Sequence, residues 1–273
     1  MKDGATPIFR FYQEVIGKEN IRLAVVDEYD RLDFVSKDDM VLVRTANRRL
    51  WKTVRSKMVR STLEDQWAYE LAEDKASLSG YLSDRGIRVP RQFGINDIVD
   101  GGTYFVKPRF GSDSKGISDL SVCRAKDDVE RQFAIISEEF GQESVIEEFV
   151  DGVDCTVACW KDGCILQTCA IDIECDSSIY RIQTFDGKFN ENEYCSALID
   201  NNITEIARSI FSMMNLNHYA RMDFRRDEKR NYYLIDVNLM PGLGPTDHFC
   251  KSLLLARNMS YRDAINAVIS SAT

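Results

Sequence analysis

Apolar positions along this chain change spacing repeatedly, and the changes outline an order of strands and helices. Short alternating or continuous apolar runs predict strands at 21–26, 40–44, 104–106, 145–150, 153–160 and 164–173. The last two are joined across Lys161-Asp-Gly163. Val129, Phe133, Ile136 and Phe140 follow helical spacing. So do Ile203, Ile206, Ala207, Ile210, Phe211 and Met214, with Asn202 as expected N-cap and Glu205 three residues on. Residues 8–17, 75–85 and 261–269 complete the predicted helices. The second of these stops at Gly86, with Pro90 beyond it. A strand–helix–strand opening predicts a small α/β layer, and the whole reads as α+β with mixed sheets. No repeat or Pro/Ser-rich linker interrupts the order.

Two further apolar strands carry the most chemistry. Tyr219-Ala-Arg-Met-Asp-Phe224 and Tyr232-Tyr-Leu-Ile-Asp-Val-Asn238 flank the charged turn Asp227-Glu-Lys-Arg-Asn231, so an antiparallel pair is expected. Asp236 and Asn238 are two apart and share one face. Antiparallel pairing brings Asp223 alongside them. Two carboxylates and an amide oxygen form a hard, anionic donor set suited to Mg²⁺. A lone acid at a strand end is usually just solvated. Here Met222, Phe224, Ile235 and Val237 flank the acids, and an unpaired carboxylate among apolar residues is costly. That favours a bound cation.

Composition narrows the function. The chain has 273 residues, is 44% hydrophobic and carries a formal net charge of −9. That charge argues against nucleic-acid binding, which needs clustered Lys and Arg. The one basic stretch, from Arg44 to Arg60, reads as a helix with a solvated face. No apolar run reaches membrane-spanning length, and Met-Lys-Asp-Gly at the N-terminus is no signal peptide. The eight cysteines form no Cys-x-x-Cys pair, and Cys155 and Cys159 alternate with Val157 as small buried hydrophobes do. A reducing, cytoplasmic location follows as an expectation. The 2 histidines are too few for a histidine-based metal site.

Four segments now stand in order: Asp74-Lys75 heading a helix; Phe105-Val-Lys-Pro108 followed by Gly111-Ser-Asp-Ser-Lys-Gly116; Val145-Ile-Glu-Glu-Phe-Val-Asp-Gly-Val-Asp154; and Arg221-x-Asp223 leading to Asp236-x-Asn-x-x-Pro-Gly242. Together they closely resemble the ATP-grasp fold, in its D-alanine–D-alanine ligase-like branch. The resemblance implies an α+β fold in which two subdomains grip ATP. Its expected limits are a reduced N-terminal α/β domain over 1–74 and an ATP-grasp domain over 75–273, divided into 75–146 and 147–273.

It also implies roles. Lys75 and Lys107 are expected on the nucleotide phosphates. Gly111 to Gly116 is expected to be a lid, with Ser112 and Ser114 over the phosphates. Glu147 is expected to meet the adenine amine, the backbone of Glu148, Phe149 and Val150 the ring edge, and Asp154 the ribose. Asp223, Asp236 and Asn238 match the metal ligands, for two Mg²⁺ ions or Mn²⁺ in their place. Arg221 and the Gly242 N–H are expected to hold an acyl phosphate or oxyanion. The implied activity is ADP-forming ligation of a small-molecule carboxylate to an amine, through an acyl phosphate.

Three departures bear on substrate. Only 74 residues precede Lys75, with no evident counterpart of the family's opening strand and glycine-rich loop. Asp247 stands where the family has a serine, and Lys188-Phe189 has Phe where a tyrosine is expected. These place Asp247 and Lys188 at the substrate and point to an amino acid other than D-alanine, with a cationic acceptor. The alternatives are an intramolecular cyclo-ligase, a kinase acting without ligation, and a non-catalytic nucleotide-binding regulator. A homodimer stays open; nucleic-acid and membrane partners are not expected.

Overall fold

The computed structural model describes residues 12, 14, 17, 35–44, 48–111, 114–176, 178–184 and 193–272. The strand expected at 21–26 and nearly all of the helix expected at 8–17 lie outside these. The first described unit is small. β1 (Met40–Val41) pairs in parallel with β2 (Arg60–Ser61), with α1 (Arg48–Ser56) between them. α1 buries Leu50, Trp51 and Val54 and turns Arg48, Arg49, Lys52 and Arg55 outward, giving the expected solvated basic face. Arg44 departs from that expectation, because its Nη1 donates to the Tyr219 hydroxyl at 3.1 Å.

α2 (Gln66–Glu73) leads into α3 (Lys75–Ser83). Asp74 ends one and caps the other, its carboxylate accepting from the Ala76 and Ser77 N–H groups.

A four-stranded antiparallel sheet follows, in the order β3 (Gln92–Phe93), β6 (Ser144–Glu148), β4 (Tyr104–Pro108) and β5 (Val122–Cys123). α4 (Lys126–Phe140) covers it, packing Val129 and Ile136 against Val106 and Ile146. The helix stops at Gly141, whose φ of +61° is left-handed and suits glycine.

The larger sheet is five-stranded and antiparallel, in the order β11-β10-β7-β8-β9. Its strands are β7 (Val153–Asp162), β8 (Ile165–Cys175), β9 (Glu193–Leu198), β10 (Tyr219–Arg226) and β11 (Tyr232–Asn238). One face presents Cys155, Val157, Met222, Phe224 and Leu234 to the main core. That core also contains Leu78 and Leu82 of α3 and Ile203, Ala207 and Ile210 of α5 (Asn201–Met213). α5 is capped by Asp200, which accepts from the Asn202 N–H at 2.8 Å; the cap therefore lies two residues before the expected Asn202.

The opposite face is divided along its length. At one end Ala158, Trp160, Cys169 and Tyr219 pack beneath α6 (His248–Arg257) and α7 (Tyr261–Ser270). Beyond that the face turns polar, with Asp154, Arg221, Asp223 and Arg225 at alternate, cross-paired positions. β9 and α6 had no sequence counterpart. No helix among the described residues is long and apolar enough to cross a membrane.

Candidate active site

A cleft opens where the polar half of the five-stranded sheet meets the four-stranded one. It holds about 1030 Å³ of empty space, open solvent at its mouth included, which is the scale of a small-molecule site. Lys75, Lys107, Ser114, Glu147, Glu148, Phe149, Val150, Asp154, Arg221, Asp223 and Asp236 all line it. Residues from four separate stretches of sequence are therefore brought to one surface.

Two lysines stand at one end. Lys107 Nζ lies 2.8 Å from Glu147 Oε2, with both side chains only 5% exposed. The same Nζ donates to the Ile235 carbonyl at 3.3 Å. A lysine has three N–H donors, so one is left for the cleft. Lys75 donates to the Gly111 carbonyl. Burial lowers its pKa, Asp236 opposes that shift, and Lys107 adds to it. Arg109 fastens this corner by gripping the Asp74 carboxylate twice, each time at 2.8 Å. Asp74, as N-cap, thus sets where Lys75 begins its helix.

The glycine-bounded loop is anchored by its backbone. Gly111 (φ +97°) and Gly116 (φ +74°) are both left-handed. A Cβ on Gly116 would meet the Pro108 ring at 2.8 Å. Ser114 and Lys115 from this loop line the cleft; Ser112 lies outside the described residues.

The stretch after β6 forms the apolar wall. Phe149 packs edge-on against Tyr180, with ring centroids 5.7 Å apart, and Phe105, Ile117, Ile173 and Ile182 complete the apolar lining of a slot. The N–H groups of Glu148 and Phe149 already donate to the Arg91 and Thr103 carbonyls. The backbone N–H available to a ligand edge therefore narrows to Val150. Asp154 lines the cleft, but its oxygens accept from Arg225 at 2.8 Å and the Gln183 N–H at 3.2 Å. Burial pushes its carboxyl up despite Arg225.

The acidic strand pair forms as expected. Asp223 faces Asp236 and Arg221 faces Asn238 across β10 and β11, so all four share one face. Arg221 holds Asp223 in a two-pronged ion pair at 2.9 and 2.7 Å, and the Thr156 hydroxyl donates to the same carboxylate at 2.6 Å. Burial alone would raise Asp223. The Arg221 charge and these hydrogen bonds outweigh it, and the net shift is downward. Asp236 goes the other way, raised first by burial and then by Asp223, against Lys75 and Lys107. No described donor hydrogen-bonds the Asp236 carboxylate. Asn238 Oδ1 accepts from the Met240 N–H at 2.9 Å, which turns the chain toward Pro241. Two close carboxylates, one without a donor, fit a divalent cation.

Residues 101–270 match the family described as the D-ala D-ala ligase C-terminus. The chain belongs to this family. Its fold is the ATP-grasp α+β fold anticipated from the four segments. An uncharacterised protein of Sinorhizobium fredii is 23% identical over 73% of this chain and 62% of its own length. A D-alanine–D-alanine ligase of Saccharophagus degradans is 27% identical over 68% of this chain and 60% of its own. The chain thus spans about three-fifths of the curated relatives it matches. Among solved structures, the Bacillus anthracis D-alanine–D-alanine ligase complexed with ATP superposes with a TM-score of 0.76. It is 16% identical, with 98% of this chain and 91% of that one covered. The Enterococcus faecalis VanG D-Ala:D-Ser ligase gives 0.67 at 17% identity, covering 85% and 72%.

Within this ATP-grasp frame, two expected substrate residues fall elsewhere or out of view. Lys188 lies outside the described residues. Asp247 is not on the cleft; its carboxylate accepts from the Gly244 N–H at 2.6 Å and packs against Gly242. A Cβ on Gly242 would come within 2.5 Å of that carboxylate. Asp247 therefore shapes the Pro241–Gly244 turn from behind, because the Gly244 N–H offers its carboxylate a donor. Arg225 and Gln183 were missed by sequence reading. Arg225 was legible: it continues the alternation Arg221, Asp223, Arg225 on one strand face. Gln183 gave no signal, being a lone amide in an irregular stretch.

Proposed function

We propose that this protein is an ATP-dependent carboxylate–amine ligase that works through an acyl phosphate and releases ADP and phosphate. The observation that carries the reading is the convergence of Lys75, Lys107, Asp223, Asp236 and Arg221 on one cleft with an apolar slot beside them. A nucleotide base suits the slot formed by Phe105, Phe149, Ile173 and Ile182, with Val150 supplying the backbone edge. Lys75 and the remaining Lys107 donor face the phosphate chain, and the 111–116 loop closes over it.

Asp223, Asp236 and Asn238 are the residues to hold Mg²⁺. Bound there, the ion supplies charge neutralisation along the phosphates. Arg221 stands two residues from Asp223 on the same face, fixed by its ion pair. Its guanidinium is placed to steady an acyl phosphate and the oxyanion formed when an amine attacks it. The protein contributes positioning and charge, the main requirements of phosphoryl transfer.

For the substrate, we read Asp247 as a loop residue. A cationic acceptor was inferred from Asp247, whose carboxylate is turned onto its own loop. We therefore assign a small amino acid as acyl donor and an amine as acceptor, with no preference for a cationic side chain. Incubating the protein with MgATP and each of the D- and L-amino acids, alone and in pairs, tests the reading. ADP release coupled to an amide of matching mass supports it. ADP release with a stable phosphorylated product supports a kinase instead.

A further inference from the structure

The polar sheet face extends past the residues used so far, and the strand register shows where. Arg225 pairs with Asp154, Asp154 with Ile173 and Ile173 with Cys195; Glu193 pairs with Cys175 one step along. Residues opposite one another in a ladder point to the same side. Glu193 and Cys195 on β9 therefore share the face that carries Asp223 and Arg221 on β10. His248, the first residue of α6, meets this face at Glu193 and neighbours Gln183, which lines the cleft.

His248 is oriented. Its Nε2 lies 2.8 Å from Glu193 Oε2, and the two side chains are 10% and 11% exposed. Gln183, which lines the cleft, donates from Nε2 to the other Glu193 oxygen at 3.1 Å and lies 3.5 Å from the imidazole. A carboxylate partner makes Nε2 the protonated nitrogen and leaves Nδ1 with its lone pair. Among the described residues nothing hydrogen-bonds Nδ1. The titratable groups beside the ring are Glu193 and Cys195 from β9, with Asp223 of β10 within electrostatic reach. Lys251 Nζ is 4.0 Å from Cys195 Sγ.

We propose that His248, held by Glu193 and Gln183, is the proton acceptor for the incoming amine; the role rests on the ligase reading. An ammonium gives one proton to Nδ1. The freed nitrogen lone pair then attacks the acyl phosphate carbonyl and forms the C–N bond of a tetrahedral intermediate. Collapse breaks the carbon–oxygen bond to phosphate, which leaves with the second nitrogen proton. The imidazolium returns its proton to water. Such a positioned base contributes about 10²–10⁴-fold.

Hydroxylamine separates the half-reactions, because it is neutral near pH 7.5 and attacks acyl phosphates without a base. Wild-type, His248→Gln and Glu193→Gln proteins are supplied with MgATP, the amino-acid panel, and either hydroxylamine or a second amino acid. The amide-to-hydroxamate ratio is expected to fall about 10²–10⁴-fold in His248→Gln and less in Glu193→Gln. Raising the pH toward the amine's own pKa is expected to restore part of it. An unchanged ratio overturns the role, as does equal loss of both products in a variant with wild-type melting. If His248→Gln does not fold, the ratio in Glu193→Gln decides. Hydroxamate from wild type with an unchanged ratio in the variants sinks this role alone. A wild type forming neither ADP nor hydroxamate sinks the ligase reading itself, and the role with it.

Discussion

Asp223 and Asp236 stand directly opposite each other across β10 and β11, and the ladder slips by one residue immediately beyond them. Phe224 pairs with Leu234, so Ile235 is left without a partner. Its carbonyl is taken by Lys107 from the other sheet. The bulge therefore joins the Asp223–Asp236 pair to Lys107 through one backbone group. Bulges recur beside active sites because they re-aim a side chain without ending the strand.

Removing Asp236 takes away the one carboxylate of the pair that has no described hydrogen-bond donor. Asp236→Ala is expected to lower ADP formation by roughly 10²–10³-fold, the scale of losing one electrostatic partner of the transition state. The melting temperature should hold or rise, because the cost of burying the carboxylate is relieved together with its repulsion from Asp223. Full ADP release by the variant contradicts the cation assignment.

The buried pair Lys107–Glu147 makes a stability prediction. Glu147→Gln leaves an ammonium at a 5% exposed position. Breaking one partner of such a pair costs about 3–5 kcal/mol. The double variant Lys107→Met/Glu147→Leu should lose less than the two single losses added together. Urea denaturation of Lys107→Met, Glu147→Leu and the double variant measures this; strict additivity means the two groups do not interact.

Asp74 gives a pH dependence with a definite sign. The hydrogen bonds from Arg109 hold its carboxyl below the ordinary carboxylate range against burial, with Ser77 adding to the effect. A depressed folded-state pKa means stability that is complete above the unfolded value, near 4, and is lost as pH falls through the folded one. Arg109→Met should therefore be less stable than wild type by a constant margin from pH 6 to 8. The margin should shrink below about pH 4. A margin that grows on acidification contradicts the pairing.

Gly116→Ala tests the lid anchor. Alanine must adopt a φ of +74° and put its methyl against Pro108. Strain of this kind costs of order 1–3 kcal/mol. Weaker nucleotide binding and a melting temperature lowered by several degrees are expected, with affinity measured by fluorescence or calorimetric titration with MgATP. Unchanged affinity removes the loop from the phosphate site.

Much of this site was readable before any coordinates. Asp223, Asp236 and Asn238 announced themselves because period-two spacing fixes the face on which a side chain lies, and an acid inside an apolar strand requires a reason. Lys107 stood out as a cation at a strand end before Pro108. The fold followed from the same periodicity, reinforced by four segments in family order.

What could not be read from sequence was local and had physical causes. Asp247 was assigned by sequence position alone, which does not show that a nearby backbone N–H captures its carboxylate. β9 was missed because Tyr194, Ser196 and Ala197 are exposed on an edge strand and carry no apolar alternation. α6 was missed because its apolar positions are crowded together rather than spaced along one stripe. The His248–Glu193 pair needed both of those elements, so it could not be seen until the register of β9 was known.

The central claim is that phosphate-binding lysines, cation-binding acids and Arg221 act on one substrate carboxylate. Positional isotope exchange tests it most directly. ATP labelled with ¹⁸O in the β–γ bridge is incubated with Mg²⁺ and each amino acid, with no acceptor present. Scrambling of the label into the β non-bridge positions, dependent on one acid and abolished in Asp236→Ala, is the predicted result. No acid-dependent scrambling and no ADP release with any of them, in a protein that binds MgATP, contradicts the account.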